Sequence, residues 1–148
     1  MRNDALFYTC SLIEYIGRDK KLRRDEVVDA LGEDTVRRIY RYADVLHCEP
    51  IAKIADEFIR MAGIREGRYD NVAACKYLVP TYWDIGAVYC RLIEDVQGED
   101  IITALMEVYH SRLSGYISDY NSAIYFQSRD YISLQYRQEM AGVDMFAG

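Results

Sequence analysis

The sequence predicts an all-α protein, a single-domain bundle of about six or seven helices over residues 1–148. Three observations carry this. Apolar residues recur at helical spacing along nearly the whole chain, and no segment of useful length alternates with a period of two. The two prolines, Pro50 and Pro80, stand outside the periodic stretches, where each can start a helix. A length of 148 residues suits one domain with a real core, and 51% hydrophobic against 28% charged residues exclude a disordered chain.

Taken in order, residues 4–17 carry clearly polar side chains only at Asp4, Thr9, Ser11 and Glu14. Asp4, Ser11 and Glu14 form one narrow stripe, so this helix is expected to be central and nearly surrounded. A short helix is predicted at Asp25–Leu31, ended by Gly32 as a C-cap. The next spans residues 34–47, with Val36, Ile39, Tyr40, Ala43 and Leu46 on one face and Arg37, Arg38, Arg41 and Asp44 on the other. Pro50 then opens a helix, capped by Glu49, whose apolar face is Ile51, Ile54, Ala55, Phe58 and Ala62.

Residues 63–80 are irregular, with one turn of helix near Val72–Tyr77. After Pro80, TYWD reads as a capping box with Thr81 as N-cap and Asp84 in place of the usual Glu. The helix it opens runs to about Val96 with a polar stripe of Asp84, Arg91, Glu94 and Asp95, which makes it a second central helix. Residues 100–126 read as one long helix bent near Gly115, and a last helix covers about 130–141. The tail from about residue 142 is expected to fray.

The net charge of −6 and pI near 4.9 argue against a dedicated nucleic-acid binder. Residues 18–24, RDKKLRR, are a local exception, read as a solvated loop with a phosphate-contacting patch as the sharper alternative. The N-terminal MRNDALFYTCSLIEYIG has the apolar run of a signal peptide. Asp4, Glu14 and the lack of a small-x-small cleavage site make it a structural helix instead. No run of about 18 apolar residues is present, so neither a membrane span nor a membrane partner is expected, and the location is read as cytoplasmic. Cys10, Cys48, Cys75 and Cys90 lack C-x-x-C spacing and are read as buried free thiols.

The stretch RYADVLHCEP raises the question of catalysis. Arg41 and His47 have the spacing of the Arg-x(4–6)-His signature and resemble HEPN-type ribonucleases, which are all-helical. There the His would act as acid and base and the Arg would stabilise charge on the phosphate. On an ideal helix six steps place Arg41 and His47 about 120° apart, so they do not converge unless the helix ends between them. A helix corner explains each residue: Arg41 in the solvent stripe, His47 at a helix C-terminus where it complements the dipole, Pro50 as the start of the next helix. His47, Cys48, Cys75, Cys90 and His110 are soft or borderline ligands, but no pair sits at i, i+3 or i+4, so no metal and no cofactor are expected.

Tyrosine is the unusual component, with 14 in the chain and most of them from Tyr69 onward. Rings at the margin of the core with outward-facing hydroxyls are the plain reading. An aromatic face for a protein partner is the sharper one, with Trp83, Tyr116, Tyr120 and Tyr125 as its candidates. An aromatic platform for single-stranded nucleic acid conflicts with the acidic C-terminal two-thirds.

The segments SLIEYIGR at 11–18, ADVLHCEPIAKIADEFI at 43–59 and VPTYWDIGAVYCRLI at 79–93 resemble a group of small, uncharacterised bacterial helical proteins. Some of these are encoded beside putative toxin genes. Asp44, Leu46 and His47, followed by Glu57, Phe58 and Ile59, are also similar to a wider helical domain without established activity. The resemblance implies a partner-binding or regulatory role, as one half of a toxin–antitoxin-like pair. The expectation is a non-enzymatic interaction module whose partner is another protein, with self-association open. The alternative is a metal-independent ribonuclease using Arg41 and His47.

Overall fold

The computed structural model describes residues 2–143, which are 70% helix with no strand among them. The order is α1 (Asp4–Lys20), α2 (Arg24–Leu31), α3 (Glu33–Arg41), α4 (Ala43–Leu46), α5 (Ile51–Ala62), α6 (Asn71–Ala74), α7 (Tyr82–Val96), α8 (Ile101–Tyr109), α9 (Arg112–Ser118) and α10 (Arg129–Met140), with a 3-10 turn at Ile124–Phe126. Ten α-helices among the described residues exceed the expected six or seven because two long periodic stretches are interrupted and the single turn near Val72 forms a helix of its own, α6. The stretch 34–47 breaks at Tyr42, where ψ swings to 15°, yet Tyr42 N still donates to Arg38 O and Leu46 N to Tyr42 O. The apolar phase therefore passes through the break unmarked. The stretch 100–126 ends its first helix at Tyr109, not at Gly115. Ser111 then adopts extended backbone and accepts from Ser114 N through its hydroxyl, an N-cap for α9. The expected fray falls mainly on residues 144–148, outside the described residues.

Local chemistry sets most other boundaries as the sequence predicts. Thr81 and Asp84 exchange hydrogen bonds of 2.9 and 3.0 Å across the capping box. Gly32 joins α2 to α3 at φ +85°, a conformation a side chain would strain. Pro50, not Glu49, is the N-cap of α5. Glu49 instead reaches forward to Lys53 at 3.2 Å.

Helices α1 and α7 are the two central elements. They pack on each other; α1 also carries α2, α3, α4 and α5, and α7 carries α8 and α10. Leu6, Leu12, Ile13 and Ile16 of α1 and Ile85, Tyr89, Leu92 and Ile93 of α7 are buried. The two backbones meet where Gly86 faces Ser11, a contact too tight for a side chain at 86.

Beyond the exposed Asp4, the polar stripe of α1 is not a solvent stripe. Ser11 lies in the helix crossing, and Glu14 is buried against Arg24, which is equally buried. The Arg24 guanidinium donates from Nε and Nη2 to the two Glu14 oxygens, each at 2.9 Å, and from Nη2 to Asn71 Oδ1 at 3.1 Å. Arg18 reaches the same Glu14 oxygen at 3.2 Å and the Pro80 carbonyl at 2.6 Å. The Tyr120 hydroxyl donates to Glu14 Oε2, and Asn71 donates to the Ser118 carbonyl. This cluster ties α1, α2, α6 and the segment after α9 together. Burial pushes the Glu14 carboxyl up, but the Arg24 charge and the hydrogen bonds of Arg24 and Tyr120 outweigh it and hold Glu14 below its ordinary value. A phosphate patch at 18–24 is correspondingly depleted: Arg18 and Arg24 are spent inside the molecule, Lys21 pairs with Glu66, and Arg23 with Asp25. The α7 stripe is spent in a similar way. Glu94 accepts from Asn3 N, while Asp95 accepts from Arg129 and Ser133 of α10.

Candidate interaction groove

Two adjoining clefts run along the exposed side of the α1–α7 contact and share Tyr8, His47 and Trp83. One, of about 450 Å³, is bounded by Arg2, Asp4, Phe7, Ala43 and Asp44. The other, of about 530 Å³, is bounded by Tyr15, Glu49, Pro50, Ile51 and Tyr82. Their floor is a chain of rings. Phe7 and Trp83 lie 5.5 Å apart, Trp83 and Tyr82 5.0 Å, and Tyr82 meets Tyr15 edge-on at 5.1 Å. The sequence places them there because Tyr82 and Trp83 occupy the first turn of α7, which the capping box fixes. Tyr8 and Tyr15 lie on α1 at i and i+7, nearly in line, and Phe7 lies about 80° round the helix from Tyr15. Both helices are locked by the Gly86–Ser11 crossing beneath.

The rim is acidic, with Asp4, Asp44 and Glu49 on it. Burial and the nearby Asp19, Tyr82 and Asp56 push the Tyr15 phenol up. Arg2 sits with its guanidinium carbon 4.0 Å from the centre of the Phe7 ring and pairs with Asp4 at 3.3 Å. Tyr8 is buried, and its hydroxyl has no hydrogen-bond partner among the described residues; burial pushes its phenol up to about 12.

Of the residues singled out in the sequence, Trp83 is 38% exposed in this groove. Tyr120 is 3% exposed with its hydroxyl on Glu14, so it belongs to the buried ion cluster and not to a surface. Tyr116 is half-buried on α9. Tyr125 is buried, with only an edge on a separate depression of about 630 Å³ rimmed by the exposed Leu78 and Phe126. His47 is exposed at the C-terminus of α4 and lines both clefts of the groove, its Nδ1 3.2 Å from Ala43 O. Arg41 is exposed at the end of α3 and lines neither. The helix does end between them, at Tyr42, yet the concave surface takes only one of the pair. Phe7, Tyr8, Tyr15 and Tyr82 are members that the sequence does not single out: its apolar pattern makes α1 look surrounded, and Tyr82 is one of fourteen tyrosines. On α1 the available signal is the i, i+7 spacing of Tyr8 and Tyr15.

The other reactive side chains do not converge. Among the described residues no group of three His, Cys, Asp or Glu is placed to hold a metal ion. Cys10 and Cys90 are buried, and burial pushes the Cys90 thiol up to about 12. Cys48 is exposed and Cys75 half-buried, against the expectation of buried thiols, because both lie in turns at helix ends. No helix of the described residues is long and apolar enough to cross a membrane. Compared with family models, with curated proteins and with solved structures, the chain matches none.

Proposed function

We propose that the protein is a non-enzymatic interaction module that binds another protein along the groove of Phe7, Tyr15, Tyr82 and Trp83. The observation that carries this is the unbroken ring chain, partly exposed and set on two helices whose backbones touch. Tyr and Trp supply large contact area for little side-chain entropy, and they dominate binding hot spots. A rigid base means that little ordering cost falls due on association. The resemblance to helical proteins encoded beside toxin genes supports a regulatory pair as the setting. The ribonuclease reading has the weaker support, since only His47 of its two residues lines the groove.

Affinity capture from the source cells, with the parent and Trp83→Ala as baits, tests the proposal. The expected result is a protein held by the parent, lost with the variant, and rebinding when both are purified. Capture that is indifferent to Trp83→Ala, or RNA cleavage by the parent that disappears in Arg41→Ala and His47→Ala, would overturn it.

A further inference from the structure

We propose that the groove takes a cationic side chain, a guanidinium or ammonium presented by a basic segment of the partner, and that Arg2 occupies part of that place in the free protein. This deepens the reading of the groove as a protein-binding face and rests on it. Four observations meet here. The floor is aromatic, and the negative face of a ring attracts a cation. The rim carries carboxylates at Asp4, Asp44 and Glu49, the last paired with Lys53 just outside the clefts, while among the described residues Arg2 is the one Lys or Arg lining either cleft. That cation already adopts the geometry proposed for the ligand, 4.0 Å above the Phe7 ring with Asp4 as counter-ion. The chain as a whole carries a charge of −6, which draws a basic partner from a distance.

Arg2 is a modest competitor. Its side chain is half-exposed and stands just before α1, so it can swing aside without disturbing the core. Displacing it exchanges one guanidinium–ring contact for another and leaves Asp4 to pair with the newcomer. The further rings, Trp83, Tyr82 and Tyr15, offer stacking places along the second cleft that Arg2 does not fill. A segment with basic residues spaced along an extended backbone would engage both clefts, and an acidic one would be repelled from both.

Trp83 is the only tryptophan, so its fluorescence reports the groove alone. The test titrates the parent with a blocked peptide of alternating arginine and glycine, and separately with its glutamate–glycine counterpart. Saturable quenching by the arginine peptide, none by the glutamate peptide, and loss of the response with rising salt are expected. Arg2→Ala should tighten binding about two- to five-fold, the worth of one exposed cation–π contact. Asp44→Asn with Glu49→Gln should weaken it. Both variants lie at the surface, and circular dichroism confirms their fold beforehand. Equal response to the two peptides, no saturable response in the parent or in Arg2→Ala, or weaker binding in Arg2→Ala would overturn the cationic occupant. If those results came with a captured partner that still depends on Trp83, the occupant would fall and the binding face would stand. If the arginine peptide bound while partner capture ignored Trp83→Ala, the wider proposal would fall instead.

Discussion

A methyl group placed on Gly86 would stand 2.1 Å from the Ser11 hydroxyl oxygen and 2.9 Å from both Cα and N of Ser11. The two central helices therefore touch backbone to backbone. Gly86→Ala should be destabilising by at least about 1–3 kcal/mol, the range for overpacking, because backbone cannot yield as a side-chain tip can. Adding Ser11→Gly should recover only part of the loss, since the contacts to Cα and N remain. Urea melts of the single and double variants check this.

Glu14 and Arg24 lie together in the core, and the balance between their attraction and their desolvation decides what each is worth. Glu14→Gln leaves the buried Arg24 charge uncompensated and should cost about 3–5 kcal/mol; Arg24→Met, which leaves Glu14 with Arg18 and the Tyr120 hydroxyl, should cost less. Removing both together should cost clearly less than the sum. A double-mutant cycle by denaturant unfolding measures the difference; additive losses would show that the two charges are not coupled. Because the Glu14 carboxyl is held below its ordinary value, its contribution is present at neutral pH and fades as pH falls through that lowered value.

His110 has acceptors at both ring nitrogens, Met106 O at 2.6 Å from Nδ1 and Asp29 Oδ1 at 2.7 Å from Nε2. The Met106 carbonyl, against a smaller opposing effect of burial and aided by Asp29, raises the imidazole above its ordinary value. The stabilisation is complete below the unfolded pKa of about 6.5 and is lost as pH rises through the raised folded value. His110→Asn should flatten that decline in a series of melting temperatures from acid to mildly alkaline pH. An unchanged pH slope would dissociate His110 from it.

Tyr8 buries a hydroxyl that has no partner among the described residues. Tyr8→Phe keeps the ring and removes that orphan, so stability should hold or rise by up to about 1 kcal/mol. Thermal melts decide it, and a fall of more than about 1 kcal/mol would mean that the hydroxyl is engaged.

The all-helical class and the two central helices were legible because buried helices read as narrow polar stripes in apolar sequence. Thr81–Asp84, Gly32 and the α5 face were legible for the same local reason: caps and periodicity need no partner to be recognised. The direction of the stripes was not legible. Ser11 and Glu14 look like solvent positions until Gly86 and Arg24, distant in sequence, are brought against them. A glycine within a helix costs about 1 kcal/mol relative to alanine, so Gly86 was the one local hint of a close crossing. The breaks at Tyr42 and Ser111 were missed because the apolar phase continues through them. The groove is half legible: Trp83 is among the aromatic-face candidates that the sequence offers, whereas Phe7 and Tyr15 read as core by hydrophobicity alone. Tyr120 was misplaced because composition cannot tell a ring that faces a partner from one that donates to a buried carboxylate.

The central claim is that the ring chain from Phe7 to Tyr15 is a binding face, and Trp83 is its most exposed member. The most direct test is a calorimetric titration of the purified partner into the parent and into Trp83→Ala, with circular dichroism and melting checked first. The account predicts an unaltered fold and an affinity at least about 30-fold weaker in the variant, the loss of a hot-spot residue worth about 2 kcal/mol or more. An affinity within about two-fold of the parent would contradict it.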